Sequence, residues 1–175
     1  MPLFLWIYLF FYVKIVIIVG RGDFMIKIMF VCNGNICRSP MAEFVFKDMV
    51  KKQGLEGDFV VSSCATSCDE LGNGVYPPVK RLLNSIGINS DGKYSVQLKK
   101  SDYNNYDLFI GMDCANIRNM HRIFGSDPDN KIKKMMSFCG SDSDVADPWY
   151  TRDFDLTYSD IKSSCNGLLE WCLNS

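Results

Sequence analysis

Ten consecutive residues, Val31 to Pro40 (VCNGNICRSP), constrain this chain more than any other stretch. They continue an apolar, β-branched-rich run at Ile26–Phe30, which reads as a strand buried on both faces. Ser39 is a good helix N-cap and Pro40 a good first helical residue. A strand, a short Gly/Asn loop and a helix N-terminus together make a cradle for an anion. This cradle holds a thiol, Cys32, and six positions later the planar fork of Arg38. The combination points to covalent chemistry on a phosphate-like group.

Recognition of that anion has to be local, because the formal net charge is −1 and no global basic field argues for nucleic acid. At 175 residues the chain is long enough for one domain with a real core. Its 8 cysteines lack the short, loop-rich setting of a disulfide scaffold, and Cys114, Cys165 and Cys172 sit in apolar segments where buried thiols are expected. A reducing, cytoplasmic setting follows. There is no CxxC pair and one histidine, His121, which argues against a metal site and against any mechanism that needs two imidazoles.

Residues 1–24 differ from the rest. Leu3 to Val19 is apolar apart from Lys14, and as a helix rising about 1.5 Å per residue it would barely span a bilayer core. No basic residue precedes it and no small-residue cleavage site follows it, so it is a poor secretory signal. It reads as a signal-anchor, with Arg21 and Lys27 keeping the main domain on the cytoplasmic side, or as a non-native extension before a domain that starts at Met25. Met25-Ile26-Lys27 runs into the first strand without a linker, which favours the second reading.

Strands and helices alternate thereafter. Met41, Phe44, Val45 and Met49 have helical spacing, with Gly54 as a stop. Phe59–Ser63 reads as a second strand, Thr66–Pro78 as a polar loop, and Pro77-Pro78 opens a helix carrying Val79, Leu82, Leu83 and Ile86. Asp107–Met112 is a third strand, Asn116–Phe124 a short helix on which His121 has no assigned role, and Lys131–Met136 a fourth strand. Leu156 to Leu173 forms a final helix with Leu156, Ile161, Leu168, Leu169 and Cys172 inward and Gly167 unexplained within it. The pattern predicts an α/β fold: a four-stranded parallel sheet with helices on both faces, and the phosphate loop between the first strand and the first helix. Ligands bind such sheets at the carboxyl ends of the strands, where the Cys32 loop lies.

Within the cradle, the backbone N–H groups of Asn33, Gly34, Asn35, Ile36, Cys37 and Arg38 can converge on phosphoryl oxygens, with Gly34 permitting tight curvature. The helix N-terminus and Arg38 add positive charge, which favours the thiolate of Cys32, and Ser39 can donate a hydrogen bond to it. The Gly-Lys-Ser/Thr of a nucleotide-binding loop is missing.

VCNGNICRSP resembles the signature of the low-molecular-weight protein tyrosine phosphatases. Asp147-Pro148-Trp149-Tyr150 resembles that family's acid loop, although alone it reads equally as a turn. The resemblance covers residues 25–175 and implies a phosphatase domain acting on phosphotyrosine proteins or peptides and on small aryl phosphates, with no metal or cofactor. Cys32 would be the nucleophile, Asp147 the general acid and then base, and Arg38 with the loop amides the phosphate clamp. Asn35 would brace the loop, and Trp149 and Tyr150 would wall the substrate ring. Cys37 would trap oxidised Cys32 as a reversible disulfide. The Thr66–Tyr76 loop would face the substrate, with Leu71 and Tyr76 lining the cleft.

Relatives of this kind often carry histidines in the region that here is Ile86–Lys93, and this chain has none. Support for the loop must come from elsewhere, with Ser62, Ser63 and Ser90 as candidates. The rival with the same fold is a thiol-coupled arsenate reductase, for which Cys114 and Cys139 would be the downstream resolving thiols. The Asp147-Pro148-Trp149-Tyr150 loop fits a phenol leaving group better.

Overall fold

The computed structural model describes residues 25–174; the reading of residues 1–24 as an anchor or extension lies outside them. Strand β1 (Ile26–Cys32) pairs in parallel with β2 (Phe59–Ala65) on one side and β3 (Leu108–Gly111) on the other, and β3 pairs with β4 (Ile132–Lys134). The sheet order is β2-β1-β3-β4, so the central strand is the one that ends in Cys32. The chain leaves β1 towards β2 on one side, and β3 flanks it on the other, a divergence that opens a crevice at the strand ends.

Alternation along β1 divides its side chains between two cores. Ile28, Phe30 and Cys32 join one cluster with α1 (Arg38–Lys52), α2 (Pro77–Ser85) and α5 (Phe154–Asn174), contributing Met41, Val45, Phe46, Leu83, Ile161 and Leu168 among others. Met29 and Val31 join the opposite cluster with Phe109 and, from α3 (Cys114–Phe124), Met120 and Phe124. Each large side chain so buried contributes on the order of 1.5–3 kcal/mol. Cys32 therefore presents its sulfur on the α1 side, next to the helix that follows it.

Several boundaries differ from expectation. Helix α1 begins at Arg38 with Cys37 in the cap position and no side-chain cap, so Ser39 is a helical residue whose hydroxyl is used elsewhere. Helix α3 starts earlier than expected because the Asp113 carboxylate accepts the Asn116 N–H and caps it. The fourth strand shortens to Ile132–Lys134, and Met135–Cys139 turns into a 3-10 segment against α5. Leu156 and Cys114 are exposed, whereas Cys165 and Cys172 are buried as expected. No helix among the described residues is long and apolar enough to cross a membrane.

Candidate active site

The loop from Asn33 to Cys37 turns on Asn35, which has φ 55, in the left-handed region. Asparagine tolerates that conformation better than most side chains. The curvature expected of Gly34 thus falls one residue later, and what Gly34 supplies is room: a Cβ there would lie 3.0 Å from Glu70 Cγ.

The side chain of Asn35 is buried beneath the loop and holds the strained turn from three directions. Its Nδ2 donates to Ser39 Oγ at 2.8 Å and to Ser63 Oγ at 2.8 Å, and its Oδ1 accepts the Val96 N–H at 3.3 Å. Ser63 Oγ donates in turn to Glu43 Oε2 at 2.6 Å. Lys93 Nζ lies 3.2 Å from the same carboxylate oxygen and donates to the Ser63 carbonyl at 2.8 Å. Ser95 Oγ ties down the loop's other side by donating to the Gly34 carbonyl at 2.8 Å.

The Cys32 sulfur sits at the centre. The Asn35 N–H donates to it at 3.2 Å, and Ser39 Oγ is 3.0 Å away. Arg38, 4% exposed, spreads its guanidinium between two carboxylates: Nη1 meets Asp113 Oδ2 at 2.7 Å and Nη2 meets Asp147 Oδ2 at 2.6 Å. Burial pulls the guanidinium pKa down, but the Cys32 sulfur, Asp147 and Asp113 outweigh it and hold it above its ordinary value. Burial, together with the neighbouring Cys32 and Asp147, pushes the Cys37 thiol up to about 12.

Asp147 precedes the short helix α4 (Pro148–Thr151), and its Oδ1 accepts the Trp149 N–H at 3.0 Å. Tyr76 packs on Trp149 with ring centroids 5.5 Å apart, and the Arg152 guanidinium lies over the Trp149 ring at 5.6 Å from its centroid.

These elements enclose a cavity of about 470 Å³ at the strand ends. Cys32, Asn33, Gly34, Ile36, Cys37, Arg38, Asp147, Trp149 and Tyr150 all line it. Asn35 and Ser39 lie beneath it instead. From the loop after β2 the lining comes from Asp69 and Glu70, not from Leu71 or Tyr76; Leu71 is exposed and Tyr76 supports Trp149 from behind. Neither Cys114 nor Cys139 lines the cavity.

Of the three serines considered as loop support, Ser63 is in the network, and Ser90 is buried with its hydroxyl unpaired. Glu43, Lys93, Ser95 and Asp113 were not anticipated. A carboxylate on a helix and a lysine in a Gly-rich loop carry no local signal; Glu43 lies one helical turn, four residues, after Ser39 and so shares its inward face.

Residues 27–174 match the family profile described as low molecular weight phosphotyrosine protein phosphatase. The chain is 37% identical over 148 residues to the low molecular weight protein-tyrosine-phosphatase YfkJ of Bacillus subtilis (strain 168), covering 83% of this chain and 94% of that one. It is 33% identical over 148 residues to PtpA of Staphylococcus aureus (strain MRSA252), covering 84% and 94%. The crystal structure of YfkJ superposes with a TM-score of 0.82 over 87% of this chain and 96% of that one, at 38% identity. That of SP-PTP, a low molecular weight protein tyrosine phosphatase from Streptococcus pyogenes, gives 0.75 over 84% and 93%, also at 38% identity.

Proposed function

The chain belongs to the low molecular weight phosphotyrosine protein phosphatases, and from that premise we propose that it cleaves phosphotyrosine through a phosphocysteine on Cys32. It is a protein-tyrosine-phosphatase, with phosphotyrosine-containing molecules as its substrate class. The thiolate of Cys32 attacks phosphorus in line, forming the S–P bond as the P–O bond to the phenol breaks. Asp147 gives its proton to the departing phenolate oxygen. It then takes a proton from water, whose oxygen attacks phosphorus and releases the Cys32 thiolate and inorganic phosphate.

Arg38 and the N–H groups of residues 33–38 carry the charge on the equatorial oxygens. The Asn35 N–H and the Ser39 hydroxyl stabilise the sulfur as nucleophile and as leaving group. Trp149 and Tyr150 flank the aryl ring. Small aryl phosphates fit the same cavity. Under oxidation, Cys37 condenses with the sulfenic acid of Cys32 to give a disulfide and water; its buried, neutral thiol makes that step slow at neutral pH.

The observation that carries this reading is the Cys32 sulfur, accepting the Asn35 N–H and 3.0 Å from Ser39 Oγ, on the floor of a cavity whose rim bears Asp147. The test is hydrolysis of an aryl phosphate by Cys32→Ser, with acid-quench mass spectrometry for a phosphorylated Cys32 in Asp147→Ala. Full turnover in Cys32→Ser would sink the mechanism.

A further inference from the structure

Cys114 is exposed and does not line the cavity, yet its sulfur has a defined neighbour. It opens α3 immediately after Asp113, the carboxylate that grips Arg38. Lys134, the last residue of β4, donates from Nζ to Cys114 Sγ at 3.3 Å. Cys68 and Cys139 are the other exposed thiols among the described residues, and neither has a lysine amine on its sulfur.

An ammonium group has three protons and accepts nothing. Those of Lys134 meet three acceptors: Cys114 Sγ, the Asp142 carbonyl at 2.6 Å and Asp144 Oδ1 at 2.5 Å. The Cys114 N–H donates to the same Asp144 oxygen at 3.1 Å. Asp142 and Asp144 belong to the stretch 140–147 that runs from the 3-10 segment to Asp147, and the carbonyl of Val145 accepts from Arg38 Nη1 at 3.4 Å. Lys134 thus ties the sulfur to the piece of chain that carries the proton donor.

We propose that Cys114 is a modification site: hydrogen peroxide converts it to a sulfenic acid, and Lys134 captures that acid as a sulfenamide cross-link. In the first step the sulfur attacks one peroxide oxygen. An S–O bond forms, the O–O bond breaks, and the departing hydroxide leaves as water with the thiol proton. Sulfur gives up two electrons and the peroxide is reduced. In the second step Nζ sheds one proton to solvent and its lone pair attacks sulfur. The S–N bond forms as the S–O bond breaks, and hydroxide leaves as water with a second proton from the nitrogen. Sulfenic acids close on backbone nitrogens in this way; here a side-chain amine stands 3.3 Å from the sulfur.

The linked nitrogen keeps one proton and no charge. At most one of its three contacts survives, Asp144 loses its cation, and the stretch before Asp147 loses most of its tie to β4. The cross-link does not depend on the phosphatase chemistry; its effect on turnover rests on Asp147 being the acid.

The experiment treats the full chain with hydrogen peroxide while inorganic phosphate covers Cys32. Both are then removed, the peptides are mapped and kcat is measured for phenyl phosphate. The Cys114 and Lys134 peptides should appear joined and two hydrogens short, in Cys32→Ser as in wild type, and should separate on thiol reduction. In wild type kcat should fall about tenfold, the scale of a slightly misplaced reacting group, and recover with the thiol. Cys114→Ser should keep its kcat through the treatment. Lys134→Arg, which retains the charge but is a poor nucleophile, should keep it too, with Cys114 recovered as a dimedone adduct. Cys114 found free, as a sulfinic acid or in a disulfide would overturn the cross-link. An equal fall of kcat in wild type and Cys114→Ser would overturn its hold on Asp147. Turnover by untreated Cys32→Ser would strike the phosphocysteine reading instead and leave the peptide map standing.

Discussion

Arg38 Nη2 lies 2.6 Å from Asp147 Oδ2, so the residue placed to grip phosphate also grips the residue placed to deliver a proton. The same guanidinium reaches Asp113 at 2.7 Å, which joins the ends of β1 and β3 to the loop before α4. A phosphate entering the cradle would meet an arginine already aimed by two carboxylates, with little side-chain freedom left to lose.

Asp147→Ala should therefore lower kcat by about 10²–10⁴-fold for phenyl phosphate, the span general acid catalysis supplies. A nitro-substituted phenol leaves without help, so the loss for that substrate should be much smaller. Rates for a series of substituted phenyl phosphates test this. An equal loss across the series would remove Asp147 from the proton-transfer role.

Asp113→Asn isolates the aim of Arg38. Asparagine caps a helix about as well as aspartate, so α3 should keep its N-terminus and stability should change little. Arg38 loses one of its two ion pairs, and inorganic phosphate should inhibit about tenfold more weakly, with kcat/KM falling in parallel. Unchanged inhibition by phosphate would mean that Asp113 serves the helix alone.

Much of this site was legible because its chemistry is contiguous. Cys32, Arg38 and the amides between them are fixed by one strand-loop-helix junction, and the Asp147-Pro148 turn announces itself locally. The parallel sheet was legible for a similar reason, through buried runs such as Ile26–Val31 separated by helical spacing. What was missed crosses the fold. Asp113 was hidden because a helix cap looks the same whether or not an arginine from another element adopts it. Glu43 and Lys93 are 50 positions apart in sequence and meet only once β2 has placed Ser63 between them. Leu71 and Tyr76 looked right for a cleft by their apolarity, yet backbone bonds from Gly72 to Ser95 and from Tyr76 to Ile36 turn that loop so that Asp69 and Glu70 face the cavity.

That acidic rim bears on substrate choice. Asp69, Glu70, Asp113 and Asp147 line the cavity, and Arg38 is the one Lys or Arg among its lining residues. Phosphotyrosine peptides with Lys or Arg beside the tyrosine should be hydrolysed with kcat/KM up to about fivefold higher than acidic ones at low salt, the scale of an exposed ion pair. The preference should fade as salt is added. Asp69→Asn with Glu70→Gln should abolish it while small aryl phosphates react as before. A preference that survives both neutral substitutions would place it elsewhere.

Three buried thiols make stability fall in alkali. Burial, with Cys32 and Asp147 nearby, takes Cys37 from 9.0 to about 12; Cys64 and Cys165 are also raised by burial. The unfolded chain releases these protons near the ordinary value, while the folded chain keeps them. Stability is thus full below about pH 9 and declines above it, for Cys37 until pH nears 12. Each thiol adds at most about 1.4 kcal/mol per pH unit to the slope. Urea midpoints measured from pH 8 to 11 should drop steeply, and Cys165→Ala should flatten the decline by one thiol's share. A profile unaltered by Cys165→Ala would refute its part.

Gly167 sits in the middle of α5 (Phe154–Asn174), where alanine would ordinarily be better by about 1 kcal/mol. Here the helix presses against the 3-10 segment Met135–Cys139 so closely that a Cβ at position 167 would lie 1.9 Å from the Phe138 carbonyl oxygen and 2.8 Å from its carbon. Both are backbone atoms, so no side-chain rotation relieves the overlap; either α5 or the segment must move. Cys165, Leu168 and Leu169 are buried on this helix, and any retreat of α5 uncovers part of that core. The overlap outweighs the propensity, and Gly167→Ala should lose about 3 kcal/mol or more in urea denaturation. The cavity does not involve position 167, so the fraction that folds should turn over at the normal rate. Equal stability of Gly167→Ala and wild type would show that α5 and the Phe138 backbone are not in this contact.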